Sequence, residues 1–200
     1  MTRQRIIQAA RRLLAEGVYS QVTMEEVARE AGVAYQTLYA VFRTKLRLAE
    51  AIVAEGWPHV TLAVQLLEEV RASAEPEEWL ATVATMSRKI YEPCVDLERF
   101  LRESGDAKLL DRYREVRRRR YERLSMLRGL LEKSARLRPG LTAGDAVDLI
   151  WAVSGPENYL ELVFERGWSP DRYELWLADA LQKLILRPAA GQAREAKLRS

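Results

Sequence analysis

The sequence predicts an all-α protein, a three-helix head followed by a larger helical body, about nine helices in total. Three observations carry this expectation. Apolar residues recur at three- and four-residue spacing through most of the chain, and no alternating runs rich in Val, Ile and Thr suggest strands. The helical runs are punctuated by caps and breakers: Gly at 17, 32, 105, 140, 155 and 167, and Pro at 58, 76, 93, 139, 156, 170 and 188. Finally, the positive charge gathers at one end. Residues 1–47 carry eight basic and four acidic side chains, net +4, so the remainder carries −1 of the total +3.

The head reads as follows. Residues 2–16 form a helix through Ile6, Ile7, Ala10, Leu13 and Leu14, closed by Gly17. Arg3 and Arg5 at its start are read either as contacts to a nucleic-acid backbone or minor groove, or as a frayed basic terminus. Thr23 with Glu26 three residues on is a capping-box pair that opens a second helix. Val27, Ala28 and Ala31 keep that helix apolar on one side, and Gly32 supplies the left-handed residue that ends it. A third, short helix over 34–41 has Leu38, Val41 and Phe42 as expected inward anchors.

A helix, a tight turn containing Gly and another helix is the helix-turn-helix, whose second helix lies in the DNA major groove. The alternative at this point is an ordinary helical hairpin. The outward residues Tyr35, Gln36, Thr37 and Tyr39 are all hydrogen-bonding and none is acidic, whereas a helix face shaped for solubility would carry Glu and Lys. Gln pairs with the N6/N7 edge of adenine, Thr and Val meet a thymine methyl, and Tyr reaches base or phosphate. Lys45 and the amides after Thr44 offer a positive helix end to a phosphate. The candidate DNA-binding residues are therefore Thr23, Val33, Ala34, Tyr35, Gln36, Thr37, Tyr39 and Lys45.

The segment closely resembles the DNA-binding domain of tetracycline-repressor-type (TetR family) regulators. The resemblance is carried by Ala9, Ala10, Leu13, Gly17, Thr23, Val27, Ala28, Ala31, Gly32, Val33, Thr37, Leu38, Tyr39, Phe42, Lys45 and Leu48. Two positions depart from the family pattern: Ala34 stands where a Ser-like cap is usual, and Val41 where a His or Tyr often precedes the Phe. Loss of the first cap weakens the helix start by about 1 kcal/mol. The resemblance implies a homodimeric repressor on double-stranded DNA with a palindromic operator, released by a small-molecule effector held among the middle helices. It also implies an isologous four-helix interface built by the last two helices.

The body follows in order. From Thr44 a helix through Leu46, Leu48, Ala49, Ile52 and Val53 runs to a kink before Pro58 and would act as the lever between head and body. His59, the only histidine, reads as a solvent or hinge-packing residue. Residues 60–72 carry a helical stripe of Leu62, Val64, Leu66, Leu67 and Val70. Glu75, Pro76 and Glu77 open a helix through Trp79, Leu80, Val83, Met86 and Ile90 to Tyr91, stopped by Pro93. A short helix through Val95, Leu97, Phe100 and Leu101 ends at Ser104, Gly105 and Asp106. One long helix over 107–137 follows, ending at Arg138, Pro139 and Gly140. Its run of Arg117, Arg118, Arg119 and Arg120, joined by Arg112, Arg114 and Arg123, wraps a whole turn and is interleaved with Glu115 and Glu122, so it reads as a solvated face with local ion pairs.

Thr142 and Asp145 cap a helix through Val147, Ile150, Trp151 and Val153 that must kink at Gly155 and Pro156. It resumes through Tyr159, Val163 and Phe164. Ser169 and Pro170 open the last helix, whose Tyr173, Trp176, Leu177, Ala180, Leu181, Leu184 and Ile185 form a stripe wide enough to meet two surfaces. The expected organisation is a DNA-binding domain over 1–47, a ligand-binding and dimerisation domain over 48–187, and a disordered tail over 188–200. Candidate ligand-lining residues are Met86, Tyr91, Phe100, Leu110, Tyr113 and Trp151; candidate interface residues are Tyr159, Val163, Tyr173, Trp176, Ala180 and Leu184.

Other classes find little support. One His and one Cys, with carboxylates spread along helix surfaces, form no catalytic or metal-ligating constellation, so neither an enzyme nor a cofactor is expected. No apolar run is long enough to span a membrane, no leader is read in the first ten residues, and the single Cys94 fits a reducing compartment, so a cytoplasmic protein is expected. The competing reading is a helical small-molecule-binding or scaffolding protein with a vestigial helix-turn-helix.

Overall fold

The computed structural model describes residues 1–16, 19–56, 68, 70, 73 and 75–188. Gly17, Pro58, His59, most of the helix expected over 60–72 and the tail from 189 lie outside the described residues. The described elements are α1 (Thr2–Glu16), α2 (Met24–Glu30), α3 (Tyr35–Phe42), α4 (Lys45–Gly56), α5 (Pro76–Tyr91), α6 (Val95–Glu103), α7 (Ala107–Ser125), α8 (Arg128–Ser134), α9 (Ala143–Val153), α10 (Pro156–Tyr159), a π-helical segment (Leu160–Glu165) and α11 (Pro170–Ile185). The β pairing among them is one isolated bridge between Leu137 and Leu186. The fold is all-α, with the helix-turn-helix at its N-terminal end and the larger share of helices beyond it.

The chain divides into two compact units, one of Met1–Pro58 with Pro93–Arg117 and the other of His59–Glu92 with Arg118–Ser200. In the first, Ile6, Ala9 and Ala10 of α1, Val27 and Ala28 of α2, Leu38 and Phe42 of α3, and Leu48 and Ile52 of α4 form one buried core. The unit extends past residue 47 and takes in α6 for a specific reason. Arg11 of α1 grips Asp96 with two parallel hydrogen bonds of 2.8 Å and donates to the carbonyl of Pro93. Tyr19 meets the ring of Phe100 edge-on at 5.3 Å. Bidentate pairing fixes direction as well as distance, so α6 is held on the head in one orientation. Cys94 is fully buried there, and burial pushes its thiol up to about 12, which leaves it inert.

In the second unit α11 packs chiefly on α5. Tyr173, Leu177, Leu181 and Ile185, spaced four apart, are fully buried against a face of α5 that includes Leu80, Val83 and Ala84. Polar pairs flank this seam: Thr85 and Arg88 bond to Glu174, and Arg88 also reaches Asp171. Past α11 the chain returns to the segment after α8, where the Arg138 amide donates to Ile185 and the Arg187 amide to Arg136, each at 2.9 Å.

Two expectations change. The run over 107–137 is broken: α7 stops at Ser125 and α8 starts at Arg128, with the amides of Met126 and Leu127 bonding three residues back. At the break the Ser125 hydroxyl donates to the carbonyl of Tyr121 at 2.8 Å, in competition with the helix ladder. The arginine run is also split in direction. Arg118 pairs outward with Glu122, as expected, but Arg120 turns inward and donates to the Ser154 hydroxyl at 2.9 Å and to the Trp151 carbonyl.

Candidate nucleic-acid interface

The interface is assembled from local rules. The Thr23 hydroxyl accepts from the Glu26 amide at 3.2 Å while Glu26 accepts from the Thr23 amide at 2.8 Å, a complete capping box. Those amide and hydroxyl bonds hold the Glu26 carboxyl below its usual range. At the other end of α2, Gly32 has φ +61° and the Val33 amide reaches back to Ala28 at 3.0 Å, a Schellman closure. Arg5 secures the same turn from α1, donating to the carbonyl of Ala31 at 2.8 Å. Arg3 is engaged too, paired with Glu55 and placed 5.6 Å over the ring of Phe42. Neither arginine is a frayed terminus; both hold the head together.

α3 is anchored by Leu38 and Phe42 alone, both buried. Val41, expected inward, is 40% exposed, because Leu38 and Phe42 one turn apart define the buried edge and residue 41 falls on its flank. Outward stand Ala34, Gln36 and Thr37, with Tyr35 at 41% and Tyr39 at 52% exposure, their rings stacked at 6.2 Å. These residues share one exposed face. Ala34 gives the helix no side-chain cap. Val33 is half-buried under the turn, and the Thr23 hydroxyl is committed to its capping box.

Lys45 is placed differently from the α3 residues. Its ammonium donates to the carbonyl of Tyr19 and sits 4.3 Å over that ring, and partial burial pushes its pKa down. The phenol of Tyr19 is in turn pushed up to about 12 by burial. Thr44 caps α4, accepting from the Arg47 amide at 3.1 Å. Arg43, absent from the sequence-derived set, ends α3 at φ +53° with an exposed side chain. Nothing in its residue type announces a left-handed position. An exposed hydrogen-bonding helix, its rear face packed and its entrance fixed by a capped partner helix, is suited to entering the major groove.

Of the candidate ligand residues, Met86, Tyr91 and Trp151 belong to the second unit, and Phe100, Leu110 and Tyr113 to the first. Phe100 is buried against Tyr19, and Tyr113 receives a hydrogen bond from Arg117 at 3.0 Å. Of the candidate interface residues, Tyr159 and Tyr173 are fully buried in the core of their own unit, their rings 4.8 Å apart. Val163, Trp176 and Ala180 are half-buried and Leu184 is exposed. Among the described residues no cluster of three potential metal ligands occurs, and no helix is long and apolar enough to cross a membrane.

The fold and this site define a helix-turn-helix DNA-binding regulator. Residues 6–52 match the family model of bacterial regulatory proteins of the tetR family. No curated protein matches the chain by sequence. Three solved structures are similar over nearly the whole length. NalD, the secondary repressor of the MexAB-OprM multidrug efflux pump in Pseudomonas aeruginosa, is 22% identical with a TM-score of 0.65, covering 94% of this chain and 98% of its own. The transcriptional regulator FadR from Bacillus subtilis, in complex with stearoyl-CoA, is 20% identical with a TM-score of 0.66, covering 91% and 98%. The MbdR regulator from Azoarcus sp. CIB is 17% identical with a TM-score of 0.73, covering 90% and 97%. At these identities the likeness is one of fold.

Proposed function

We propose that this protein is a cytoplasmic, homodimeric transcriptional repressor that binds a palindromic operator and is released from it by a small ligand with a hydrophobic or aromatic body. The observation that carries the reading is the face of α3, where Tyr35, Gln36, Thr37 and Tyr39 are exposed together on a capped helix-turn-helix with no acidic residue among them. Thr23, Val33 and Ala34 set the entry of that helix, and Lys45 stands at the start of the next.

A reader of this type needs two copies, since half-sites lie about 34 Å apart along the duplex. Support for self-association comes from α11 and the segment before it. Phe164 and Leu175 are 60% and 73% exposed; Leu175 stands with Leu184 and Trp176 on α11, whose opposite face is already packed, and Phe164 with Val163 on the segment before it. Functionally the chain divides into a DNA-binding domain over 1–47, a ligand-binding and dimerisation domain over 48–187, and a tail. We assign the ligand site to the second unit, to which the candidate residues Met86, Tyr91 and Trp151 belong. That a fold neighbour binds stearoyl-CoA and another represses a multidrug efflux pump is in keeping with an apolar ligand body.

Selection of genomic fragments by the full chain at low salt tests the reading. Enrichment of a short palindrome is expected. Gln36→Ala and Tyr35→Ala should relax the selected sequence, each at a cost of about 1–3 kcal/mol, while Lys45→Ala should weaken all sequences alike and lower the salt slope by about 1. Failure of the wild-type chain to enrich any sequence would leave the vestigial-motif reading standing instead.

A further inference from the structure

The break between α9 and α10 creates a site that the aromatic composition alone does not suggest. Pro156 cannot continue the ladder, so the carbonyls in the last turn of α9 need other donors. The Tyr91 hydroxyl donates to Ser154 at 3.0 Å, Asn158 donates to Val153 at 2.8 Å, and Arg120 donates to Trp151. The Ser154 hydroxyl donates to Ile150 at 2.6 Å and accepts from Arg120. Every acceptor at the break is therefore neutral. Arg120 has no carboxylate partner among the described residues, and its guanidinium stands 5.6 Å from the Trp151 ring.

One turn along α7, the half-buried Arg123 makes no hydrogen bond or ion pair among the described residues, and burial pushes its pKa down, with Tyr91 and Arg120 in electrostatic reach. Tyr173 completes the set. It is fully buried beside Tyr159, its hydroxyl has no hydrogen-bond partner among the described residues, and it feels the charge of Arg120. Glu122, the carboxylate with electrostatic reach to Arg123, is itself bonded to Arg118, and Glu157 acts on Tyr173. Buried polar groups are partnered as a rule, and a guanidinium withdrawn from water without a counter-ion is costly.

Building on the reading of the protein as ligand-released, we propose that its effector is an aromatic acid: a carboxylate held by Arg120, Arg123 and the Tyr173 hydroxyl, on a ring packed among Tyr91, Tyr159 and Trp151. The acid supplies the acceptor that Tyr173 lacks and the negative charge that Arg120 and Arg123 lack. On this assignment the aromatic side chains flank the body, so hydrophobicity gives affinity and the arginines give selection for the anion.

Titration of the full chain with 1-naphthoate and with 1-naphthamide, read by calorimetry and by tryptophan fluorescence, tests this. The acid should bind at least about tenfold more tightly than the amide, which has the same shape without the charge. Arg123→Met, which removes no hydrogen bond of the unliganded fold, should abolish that preference. Arg120→Met should do the same but also destabilise the break. Tyr173→Phe should weaken the acid about fivefold while leaving the unliganded protein as stable as before or more so, because no bond is lost. Equal binding of amide and acid, unchanged acid affinity in Arg123→Met, or no binding of either compound overturns the assignment. A loss of unliganded stability in Tyr173→Phe also overturns it, since that hydroxyl would then be satisfied by water alone. The regulatory reading is judged separately on the selected operator: an acid that binds through Arg123 yet leaves the DNA complex intact upholds the site and refutes release.

Discussion

α3 and α11 are held in place by opposite means. α11 buries four consecutive turns of apolar side chain, Tyr173, Leu177, Leu181 and Ile185, and its position is set by its own core stripe. α3 buries only Leu38 and Phe42 and is otherwise positioned by its surroundings: the capping box and Schellman turn of α2, and Arg5 reaching over from α1. The contrast shows how a reading element keeps its outward face free for recognition. Its stability is supplied from behind, so the outward-facing residues can vary without unfolding the head.

The largest break in that comparison should come from α11. Leu177→Ala removes a fully buried side chain and should cost about 3 kcal/mol, seen as a lower midpoint in urea unfolding followed by tryptophan fluorescence. Arg5→Met should cost about 1–2 kcal/mol by leaving the turn carbonyl of Ala31 without its donor. Its signature is weaker operator binding with unchanged sequence preference, measured by gel shift on variant half-sites. Ala34→Ser has the opposite sign. A hydroxyl at the uncapped start of α3 should add about 1 kcal/mol, raising the melting temperature. The smallest effect is one of pH. Tyr19 is raised in the folded head to about 12, so its contribution is complete below pH 10 and is lost as pH rises from there through 12. The fall in unfolding midpoints above about pH 10 should therefore be less steep in Tyr19→Phe.

What was legible in the sequence was local. Thr23 with Glu26, Thr142 with Asp145, and Ser169 before Pro170 each signal a helix start within four residues, and each forms the expected cap. The kink at Gly155 and Pro156 follows equally from residue type. What was not legible depends on partners distant in sequence. Arg120 turns inward because a helix end 31 residues later leaves the Trp151 carbonyl in need of a donor, and the arginine run itself holds no sign of that. Tyr173 belongs to a stripe with both a buried and a half-buried edge, and spacing alone does not say which edge it occupies. Val41 was misplaced for a related reason, since two anchors suffice for a helix of eight residues.

The staple between Arg5 and Gly32 bears on how such heads are recombined. A Cβ at position 32 would stand 3.0 Å from Arg5 Nη2, on a backbone whose φ of +61° already disfavours any other residue. α1 and the turn are thus one inheritance unit. A graft that replaces residues 33–42 alone carries new specificity onto an intact chassis, whereas a graft of the whole α2–α3 module into a foreign scaffold has to bring along both the glycine and an arginine to meet it.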